Sequence, residues 1–484
     1  MDRRLTQSRI FAFLITATLA MAAGTARADS LDARIRALLG NAQLKGASVG
    51  VDVVEITPKG AVELFAHNAT TPLGPASNTK LLTTAAAFEK YGPKAVFKTH
   101  LYKVGDDLLV IGGGDPALCD AKVLSETYQK PTSPTAPFEA WAEQLKAAGI
   151  VSFRNLIVDD RVFDHTFVHP DWPADQALSW YCAPVGGLNF NNNCLDWIPK
   201  VTAKGVSIEL FPVTSYVSVA MKATRGKETR VWLWRPTDSN KFEMRGTVAS
   251  SGTEPESVSI VDPGLWTGAI LRDVLIRNGI ASSGSVRRAG DDERFPTGQL
   301  VASHETPLLA VIRRANKNSV NMMAEALCKR LGHDATGKPG DWTNGPAAVT
   351  AYAENIGVEK DWLTLDDGCG LSSKNRIAAK AFTTVLAHVA MHPQGDQFVE
   401  SLAIPGEEGT LKRRFNKLPV AAAVHAKTGH IAGVSTLSGY IDISADAGRT
   451  RRFAFSILCN KYQGNVNPWQ DAVCQAIYEW AGGK

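Results

Sequence analysis

The middle of this chain changes its residue pattern in a way that limits the folds open to it. From about residue 150 to residue 262 the sequence consists of short runs typical of strands, such as NLIVDD, VSIELFPV and RVWLWRP. Both ends instead mix strand-like runs with helical patterns. This segregation favours an α/β (α+β) protein in which a β-rich region is inserted between the two halves of another domain.

Local patterns predict the main elements. Alternating residues over 47–66, with a Pro-Lys-Gly turn, indicate a hairpin that leads into a helix at Ser77. Helices are predicted over 134–149 and 263–279, and one long amphipathic helix over 306–332. A closing helix is predicted over about 467–481. A chain of 484 residues is expected to form two or three domains.

The first 28 residues have the pattern of a secretory signal peptide. Arg3, Arg4 and Arg9 precede an apolar run over 10–24, and an Ala-Arg-Ala site ends at Ala28. The run is too short for a membrane span, which needs roughly 20 apolar residues. We therefore expect cleavage near Ala28 and an exported, periplasmic protein without a transmembrane anchor.

The net charge gives no reason to expect nucleic acid as a partner. The formal charge of the chain is +4. The predicted signal peptide holds four arginines and one aspartate, so the mature chain carries about +1. A nucleic-acid-binding protein would be expected to show a basic patch in its mature part.

The cysteine count is odd for an exported protein. Seven cysteines leave at least one thiol unpaired. Cys182 and Cys194 are close enough in sequence for one disulfide, and Cys459 and Cys474 for another, but sequence alone does not decide either pairing.

Two histidine pairs have spacings that a helix could use for metal binding. They are His165 with His169 and His388 with His392. Neither pair belongs to an H-E-x-x-H motif, so we expect no metal and no other cofactor.

A serine and a lysine stand one helical turn apart at the start of an apolar run. Ser77 and Lys80 form the only S-x-x-K in the chain. A helix places i and i+3 side chains on one face, where hydroxyl and amine can meet. A lone S-x-x-K is more often a serine N-cap with an incidental lysine, so other motifs must support a catalytic role.

Two further motifs follow in a meaningful order. Ser319-Val320-Asn321 lies in the predicted long helix, and Lys427-Thr428-Gly429 ends a strand-like run. A second S-x-N occurs at Ser373, so the S-x-N motif alone is weak evidence for an active site, whereas K-T-G occurs only once in the sequence. The order S-x-x-K, S-x-N, K-T-G is the one found in active-site serine penicillin-recognising enzymes.

The residue types suit acyl transfer. Serine is a poor nucleophile until a base takes its proton, and Lys80 serves only as a neutral amine. Lys427 and Thr428 suit a terminal carboxylate, Ser319 can relay a proton, and Asn321 can hold an amide. Backbone N–H groups of Ser77 and His430 would form the oxyanion hole.

The chain resembles the class C low-molecular-mass penicillin-binding proteins, a family of secreted D-alanyl-D-alanine carboxypeptidases and endopeptidases. Beyond the three motifs, the resemblance covers essentially the whole mature chain. It is carried by GGGDPAL at 112–118, LIVDDRVFD at 156–164, YCAPVGGLNFNNN at 181–193, DDGCGLSSKNR at 366–376, PGEEGTLKRR at 405–414, KTGHIAGVSTLSGY at 427–440 and FSILCN at 455–460.

This resemblance implies a fold and a substrate. A transpeptidase/β-lactamase-like domain would comprise residues 29–96 and 298–484, with residues 97–297 inserted as a second domain that carries a nested third. Ser77 and Ser319 are about 240 residues apart, far more than in a class A β-lactamase. The expected partners are peptidoglycan stem peptides and, as covalent inhibitors, β-lactam antibiotics.

Two positions depart from the family pattern. Cys369 replaces the usual serine in D-G-S-G-L-S, which would place a thiol near the site. His430 replaces the threonine usual after K-T-G. Because the oxyanion contribution comes from the backbone, we expect activity to survive the second change.

One aromatic loop offers a further candidate contact to substrate. Residues 169–181 combine Trp172, Asp175, Trp180 and Tyr181. A carboxylate between aromatic walls suits the ammonium group of a stem peptide. A loop packed by its own tryptophans explains the same pattern. Asp115 and Asp367 are expected to be turn and loop anchors.

Two other functions share these motifs. A β-lactamase or esterase would use the same scaffold, but no glutamate for deacylation is identified in the sequence. A non-catalytic penicillin-binding or wall-binding protein is the second alternative. The leading prediction is a serine DD-carboxypeptidase or DD-endopeptidase that works through an acyl-enzyme, with the balance between the two activities left open.

Overall fold

The computed structural model describes residues 31–444 and 450–483. The helices, in chain order, are α1 (31–39), α2 (Thr79–Tyr91), α3 (Ala121–Tyr128), α4 (Ala136–Ala147), α5 (Pro263–Arg277), α6 (Leu308–Lys317), α7 (Asn321–Thr336), α8 (Asn344–Asn355), α9 (Ala379–Met391), α10 (Gly395–Val399) and α11 (Asn467–Trp480).

The strands begin with β1 (Ser48–Thr57), β2 (Gly60–His67), β3 (Val96–Val104), β4 (Asp107–Gly112), β5 (Ser152–Phe153), β6 (Leu156–Asp159), β7 (Cys194–Thr202) and β8 (Gly205–Phe211). They continue with β9 (Ser218–Met221), β10 (Thr224–Arg225), β11 (Arg230–Trp234), β12 (Lys241–Val248), β13 (Glu256–Ser259), β14 (Ala281–Ser282), β15 (Val286–Arg288) and β16 (Gln299–Pro307). The last five are β17 (Leu363–Thr364), β18 (Arg376–Ile377), β19 (Val424–Ile431), β20 (Val434–Ser444) and β21 (Thr450–Asn460).

Packing divides the described chain into two compact units. Unit 1 comprises the described residues up to Leu81, residues 354–364 and the described residues from 376 onward. Unit 2 comprises residues 82–353 and 365–375.

Unit 1 is built on an antiparallel sheet that joins both ends of the chain. The strand order is β19-β20-β21-β1-β2, so β1 lies between its hairpin partner and the last strand of the chain. Six consecutive residues of β1, from Val49 to Val54, are buried, which is typical of a central strand covered on both faces. Side chains of α1 and α11, including Ile35 and Trp469, complete the apolar core with the sheet.

Unit 2 contains a mixed five-stranded sheet with the order β15-β6-β4-β3-β16. Strand β3, at the start of the predicted insertion, pairs antiparallel with β16, which comes directly after its end, so the two ends of the insertion lie side by side. Smaller sheets β13-β7-β8 and β10-β12-β11 extend this unit. Its apolar core includes Trp141 of α4, Trp266 of α5 and Phe190. The mixed helix-and-sheet class predicted from the sequence is confirmed.

Most of the predicted elements are present. The hairpin over 47–66 is β1 and β2, and the helices predicted over 134–149, 263–279 and 467–481 are α4, α5 and α11. The long helix predicted over 306–332 is wrong, because α6 ends at Lys317 and α7 begins at Asn321. Ser319 lies in the link between the two helices, with φ of 61°.

The predicted domain boundaries at 96/97 and 297/298 remain a prediction. By packing, α6 and α7 belong to unit 2 together with the inserted residues, whereas the sequence assigned them to the catalytic domain. The antiparallel pairing of β3 with β16 is the observation that supports an insertion at these points.

The predicted signal peptide lies outside the described residues. Within 31–444 and 450–483, no helix is long and apolar enough to cross a bilayer. All seven cysteines fall in these ranges; each is buried, and none of them forms a disulfide there. The candidate pairs Cys182–Cys194 and Cys459–Cys474 are therefore not disulfides in this structure.

Candidate active site

Ser77 lies in a short turn at the start of α2. Residues Ala76–Asn78 form one turn of 3-10 helix, and α2 continues from Thr79. Ala76 has φ of 45°, in the left-handed region that costs a residue with a Cβ about 1–2 kcal/mol. Ser77 is partly exposed while Ala76 and Asn78 are buried, so the turn presents the hydroxyl and hides its neighbours.

Lys80 meets Ser77 as the motif predicted. Its Nζ lies 2.9 Å from Ser77 Oγ, at hydrogen-bond distance. Lys80 is fully buried, and burial disfavours the charged form of an amine. A buried amine in contact with a serine hydroxyl is the arrangement that a lysine base requires.

Two hydrogen bonds to residues of β20 hold the Ser77 turn in place. The Asn78 side-chain amide donates to Ser438 Oγ at 2.6 Å, and the Thr436 hydroxyl donates to the carbonyl of Pro75 at 2.9 Å. Both hydrogen bonds are buried. The sheet thus holds the residues on each side of the nucleophile, which preorganises its position.

Gly429 of the K-T-G motif is required by close approach. A Cβ at this position would collide with the Thr436 hydroxyl and would lie 2.8 Å from the carbonyl oxygen of Pro75 and 3.0 Å from the backbone nitrogen of Ser77. Only glycine lets β19 pass this close to the Ser77 turn.

The rest of K-T-G lies on the same strand. Lys427 is fully buried and donates from Nζ to the Thr428 carbonyl at 2.7 Å, while Thr428 is partly exposed and His430 exposed. β19 is the outermost strand of its sheet and pairs with β20, while a bridge to Ala403 occupies its other side at Ala426. An edge strand can accept an extended peptide through main-chain hydrogen bonds.

In unit 2, the link between α6 and α7 carries Ser319. The residue before it, Asn318, accepts a hydrogen bond from Lys122 Nζ at 3.2 Å, and its N–H donates to the Arg314 carbonyl. The left-handed backbone of Ser319 breaks the helix and places the serine in a turn.

Asn321 ties the start of α7 to the aromatic loop. It is 6 % exposed and donates from Nδ2 to the Tyr181 carbonyl at 2.8 Å. The third residue of S-x-N therefore fixes the end of the segment that the sequence singled out as a candidate substrate contact.

The four candidate substrate contacts in the aromatic loop differ in exposure and in the residues they contact. Trp180 is 45 % exposed and makes an edge contact with Tyr181, whose hydroxyl donates to the Gln176 amide oxygen. Asp175 is exposed on a short turn. Trp172 is buried and its indole donates to the Asp367 carboxylate at 3.0 Å, so it packs the loop instead of forming the expected open wall.

Asp367 anchors the D-D-G loop, as predicted. Its carboxylate accepts from the N–H groups of Gly370 and Ser372 and from the amide of Asn375, in addition to Trp172. Asp115 likewise accepts from the Ala117 N–H and the Thr306 hydroxyl. Both residues are structural anchors.

The departure at Cys369 belongs to a buried acidic cluster. Its thiol is fully buried and lies 3.7 Å from Asp367 Oδ2. Nearby, Glu325 accepts from the Trp342 indole at 2.8 Å and from the Gly368 N–H at 3.1 Å. Burial, helped by the Asp367 charge, raises the pKa of Glu325 to about 7.

Two groups of side chains in unit 2 have the composition of metal ligands. They are His169 with Asp171 and Asp366, and Glu325 with Asp367 and Cys369. In the first, Asp171 is paired with Lys374 at 2.7 Å. In the second, Asp367 Oδ1 already accepts two hydrogen bonds and Oδ2 accepts three, one of them from the Cys369 thiol. The absence of a metal cofactor remains a prediction.

Sequence reasoning missed the residues that support the motifs. Asn78, Thr436 and Ser438 hold the Ser77 turn, and Lys122 contacts the residue before Ser319. Asn78 stands inside the S-x-x-K motif and could have been noticed there. The others lie far away in sequence, and their patterns give no local signal.

Comparison with known proteins gives one consistent result. A family model described as the D-Ala-D-Ala carboxypeptidase 3 (S13) family matches residues 31–481. A D-alanyl-D-alanine carboxypeptidase of Actinomadura sp. (strain R39) is 29% identical over 489 residues, which covers 95% of this chain and 86% of that protein. The D-alanyl-D-alanine carboxypeptidase DacB of Haemophilus influenzae is 25% identical over 417 residues, 82% of each chain.

Solved structures share the fold. Penicillin binding protein 4 (dacB) of Haemophilus influenzae superposes with a TM-score of 0.74 at 22% identity, covering 93% of this chain and 99% of that one. The same protein complexed with a β-lactam superposes with a TM-score of 0.67, covering 90% and 97% of the two chains.

Proposed function

This chain belongs to the D-Ala-D-Ala carboxypeptidase 3 (S13) family, and on that premise we propose how it, as a serine-type carboxypeptidase, cleaves peptidoglycan stem peptides. Ser77 Oγ attacks the carbonyl carbon between two D-alanines while Lys80 takes the hydroxyl proton. The terminal D-alanine leaves with a proton on its nitrogen, and an ester to Ser77 remains. Water then hydrolyses the ester and restores the serine.

The contact between Lys80 Nζ and Ser77 Oγ is the observation that carries this proposal. It joins the only S-x-x-K in the chain to a buried amine at 2.9 Å. A positioned general base contributes about 10²–10⁴-fold to a reaction of this kind.

The K-T-G strand takes the end of the substrate. Lys427 and Thr428 bind the terminal carboxylate, and the backbone N–H groups of Ser77 and His430 stabilise the oxyanion. A Cβ added at Gly429 would lie 3.0 Å from the backbone nitrogen of Ser77. This close approach of the two backbones supports a shared oxyanion hole. The edge position of β19, where Thr428 and His430 follow the bridge at Ala426, supports binding of an extended peptide.

The two remaining roles in the proposed reaction belong to Ser319 and Asn321. Ser319 passes a proton to the leaving nitrogen, and Asn321 holds a substrate amide. These two roles rest on the S-x-N motif and on its order in the chain. Asp175, with Trp180 and Tyr181 beside it, binds the side-chain ammonium of the stem peptide.

The same chemistry extends to two further substrates. A D-alanyl–diaminopimelate cross-link presents the same type of carbonyl, so the enzyme also acts as a DD-endopeptidase. A β-lactam forms a stable ester with Ser77, which makes it a covalent inhibitor. The enzyme works in the periplasm, where these substrates are found, after removal of the signal peptide.

Release of D-alanine from a D-alanyl-D-alanine peptide tests the proposal. We expect Ser77→Ala to abolish release and Lys80→Ala to lower it by about 10²–10⁴-fold. Lys427→Ala should mainly raise KM, since it removes a carboxylate anchor. Wild-type rates in Lys80→Ala would remove the base assignment. Steady nitrocefin turnover in place of a blocked enzyme would favour a β-lactamase.

A further inference from the structure

A buried row of polar side chains crosses the sheet of unit 1 beside the Ser77 turn. Ser438 of β20 lies opposite Ser456 of β21, and Ser456 lies opposite Asp52 of β1. Residues directly opposite in antiparallel strands point to the same face of a sheet, so the three side chains form one row. Lys427 of the K-T-G motif lies opposite Ser438 on β19 and extends it. All four side chains are fully buried. This row, which we call the Asp52 row, thus joins a motif of the proposed active site to a carboxylate that belongs to no motif.

The hydrogen bonds in the Asp52 row point in one direction. The side-chain amide of Asn78 donates to Ser438 Oγ at 2.6 Å, and Ser438 Oγ donates to Ser456 Oγ at 2.8 Å. A hydroxyl carries one proton, so the proton of Ser456 is left for a further acceptor. Asp52 stands opposite Ser456 on the next strand, and its Oδ1 is buried and has no donor among the described residues. The donors therefore lead from the residue after the nucleophile toward a carboxylate oxygen that needs one.

The groups packed around Asp52 let it change its charge near neutral pH. The Thr383 hydroxyl of α9 donates to Asp52 Oδ2. The charged side chains that act on Asp52 are Glu63 of β2 and Lys380 of α9, and these two pair with each other at 2.8 Å. Burial raises the pKa of Asp52 to about 6, with the Thr383 hydrogen bond and the Lys380 charge opposing the rise and Glu63 adding to it.

The charge of Asp52 decides in which direction the row can be ordered. An ionised carboxylate only accepts, so Ser456 donates to it, Ser438 donates to Ser456, and Asn78 donates to Ser438. This is the order of the hydrogen bonds in the structure. A protonated carboxyl group can donate to Ser456, and Ser438 then donates toward Asn78. The Asn78 Oδ1 atom is buried and has no donor among the described residues, so it would accept this proton once the amide has turned over.

Asn78 connects this order to the nucleophile. It follows Ser77 directly in the turn of 3-10 helix over Ala76–Asn78, and its side chain is fully buried. Its bond to Ser438 is one of the two hydrogen bonds that hold the Ser77 turn to β20. Reversal of the row replaces this bond by one with a different donor and geometry. A misplacement of about 1 Å at a reacting group can cost about 10²-fold in rate, so we expect a smaller shift to cost about tenfold.

We propose that Asp52 is a positioning residue for the nucleophile: when ionised, it orders Ser456 and Ser438 so that the Asn78 amide holds Ser77 in its reactive position. Asp52 is fully buried, so it acts only through the row and does not touch the substrate. The inference rests on the proposed function, because it assigns a supporting residue to the attack by Ser77.

The second-order rate constant of acylation by benzylpenicillin, measured between pH 5 and pH 8 on the full chain, tests this role. We expect the wild type and Asp52→Asn to react at similar rates at pH 5, where Asp52 is protonated in the wild type. At pH 8 the wild type should react about tenfold faster than the variant, because its row is then ordered by the ionised carboxylate. The ratio of the two rates should change around pH 6. Other groups titrate in both proteins, so their effects cancel in this ratio.

A second variant interrupts the row without changing Asp52. Ser456→Ala should also react about tenfold more slowly than the wild type at pH 8, and adding Asp52→Asn to it should have no further effect. Because Ser456→Ala removes only one hydroxyl, it keeps the test valid if Asp52→Asn does not fold. The matched control is Asp361→Asn, at an exposed aspartate of unit 1, which should react like the wild type at every pH.

Urea unfolding separates positioning from a role in folding alone. A raised carboxyl pKa favours folding while the group is protonated, and this contribution is lost as the pH rises through the pKa of the folded state. At pH 8 the wild type therefore carries the cost of a buried charge that Asp52→Asn does not have. The urea midpoint of Asp52→Asn at pH 8 should not fall, although its acylation is slower.

Each result decides the proposal. A ratio of wild-type to Asp52→Asn rates that stays constant from pH 5 to pH 8 would overturn it, and so would a wild-type rate in Ser456→Ala at pH 8. A parallel fall of the urea midpoint and of the acylation rate would give the row a role in folding only. Failure of the wild type to form a penicilloyl ester on Ser77 would instead reject the catalytic proposal, so the two failures are distinguishable.

Discussion

Asp175 is exposed on the turn that precedes Trp180 and Tyr181. If it binds the ammonium of the stem peptide, the wild type prefers a free-amine peptide over its N-acetylated form. A solvent-exposed pair contributes about 0–1 kcal/mol, and one shielded by an aromatic face can reach about 2 kcal/mol. We expect Asp175→Asn to lose most of this preference in kcat/KM, with penicillin acylation nearly unchanged. Equal preference in the two proteins would leave the loop with a packing role only.

Glu325 gives a prediction on pH and stability. Its pKa in the folded protein is about 7, above the ordinary value of 4.5. A raised carboxyl pKa favours folding while the group is protonated, so this contribution is present below pH 4.5 and is lost as the pH rises toward 7. Across that window the loss is up to about 3 kcal/mol.

Glu325→Gln removes this dependence, since the amide keeps the shape and does not titrate. The free energy of unfolding, measured with urea between pH 4 and pH 8, should fall less with pH in the variant than in the wild type. Glu359→Gln, at an exposed glutamate, is the matched control and should follow the wild type. Identical pH slopes in the wild type and Glu325→Gln would show that Glu325 ionises freely when folded.

At the scale of residues, the sequence predicted the motif contacts but not the role of Trp172. Ser77 and Lys80 are three positions apart, so helical geometry alone brings them together. Trp172 is buried and donates a hydrogen bond to Asp367, which is 195 residues away in sequence. A local sequence pattern cannot predict a contact between residues so far apart in the chain.

Gly429 connects two elements, the strand β19 and the Ser77 turn. A methyl group at Gly429 has to push β19 away from Pro75 and Ser77, since the contacts would be 2.8 and 3.0 Å. Overpacking of this kind costs about 1–3 kcal/mol. We expect Gly429→Ala to slow penicillin acylation at least tenfold, measured as the second-order rate constant, while the protein remains folded.

Gly290→Ala is the control for that substitution. A Cβ at Gly290 would have its nearest contact with a side-chain carbon of Glu293 at 3.6 Å, an ordinary van der Waals distance. This variant should acylate at the wild-type rate. A wild-type rate in Gly429→Ala would mean that β19 and the turn need not lie this close for the reaction.

At the scale of elements, hydrophobic periodicity located the helices but not the break between α6 and α7. The apolar pattern continues through residues 306–332, so it predicts one helix. The break depends on a single left-handed residue, Ser319, and serine carries no strong signal for that backbone. Helix ends formed by tertiary contacts, such as Lys122 with Asn318, are not encoded in the local pattern.

At the scale of the whole molecule, the insertion could be inferred because the strand pattern changes along the chain. The pairing of β1 with β21 joins the two ends, and the pairing of β3 with β16 closes the inserted region. The grouping of α6 and α7 with unit 2 could not be inferred, because it depends on packing between segments far apart in sequence. The same holds for the cysteines, whose burial as separate thiols needs the folded core.

The most direct test of the catalytic account is mass spectrometry of the intact protein after reaction with benzylpenicillin, followed by peptide mapping. The account predicts one penicilloyl group per chain, on Ser77, and no adduct in Ser77→Ala under the same conditions. An adduct on any other residue, or stoichiometric labelling of Ser77→Ala, would contradict it.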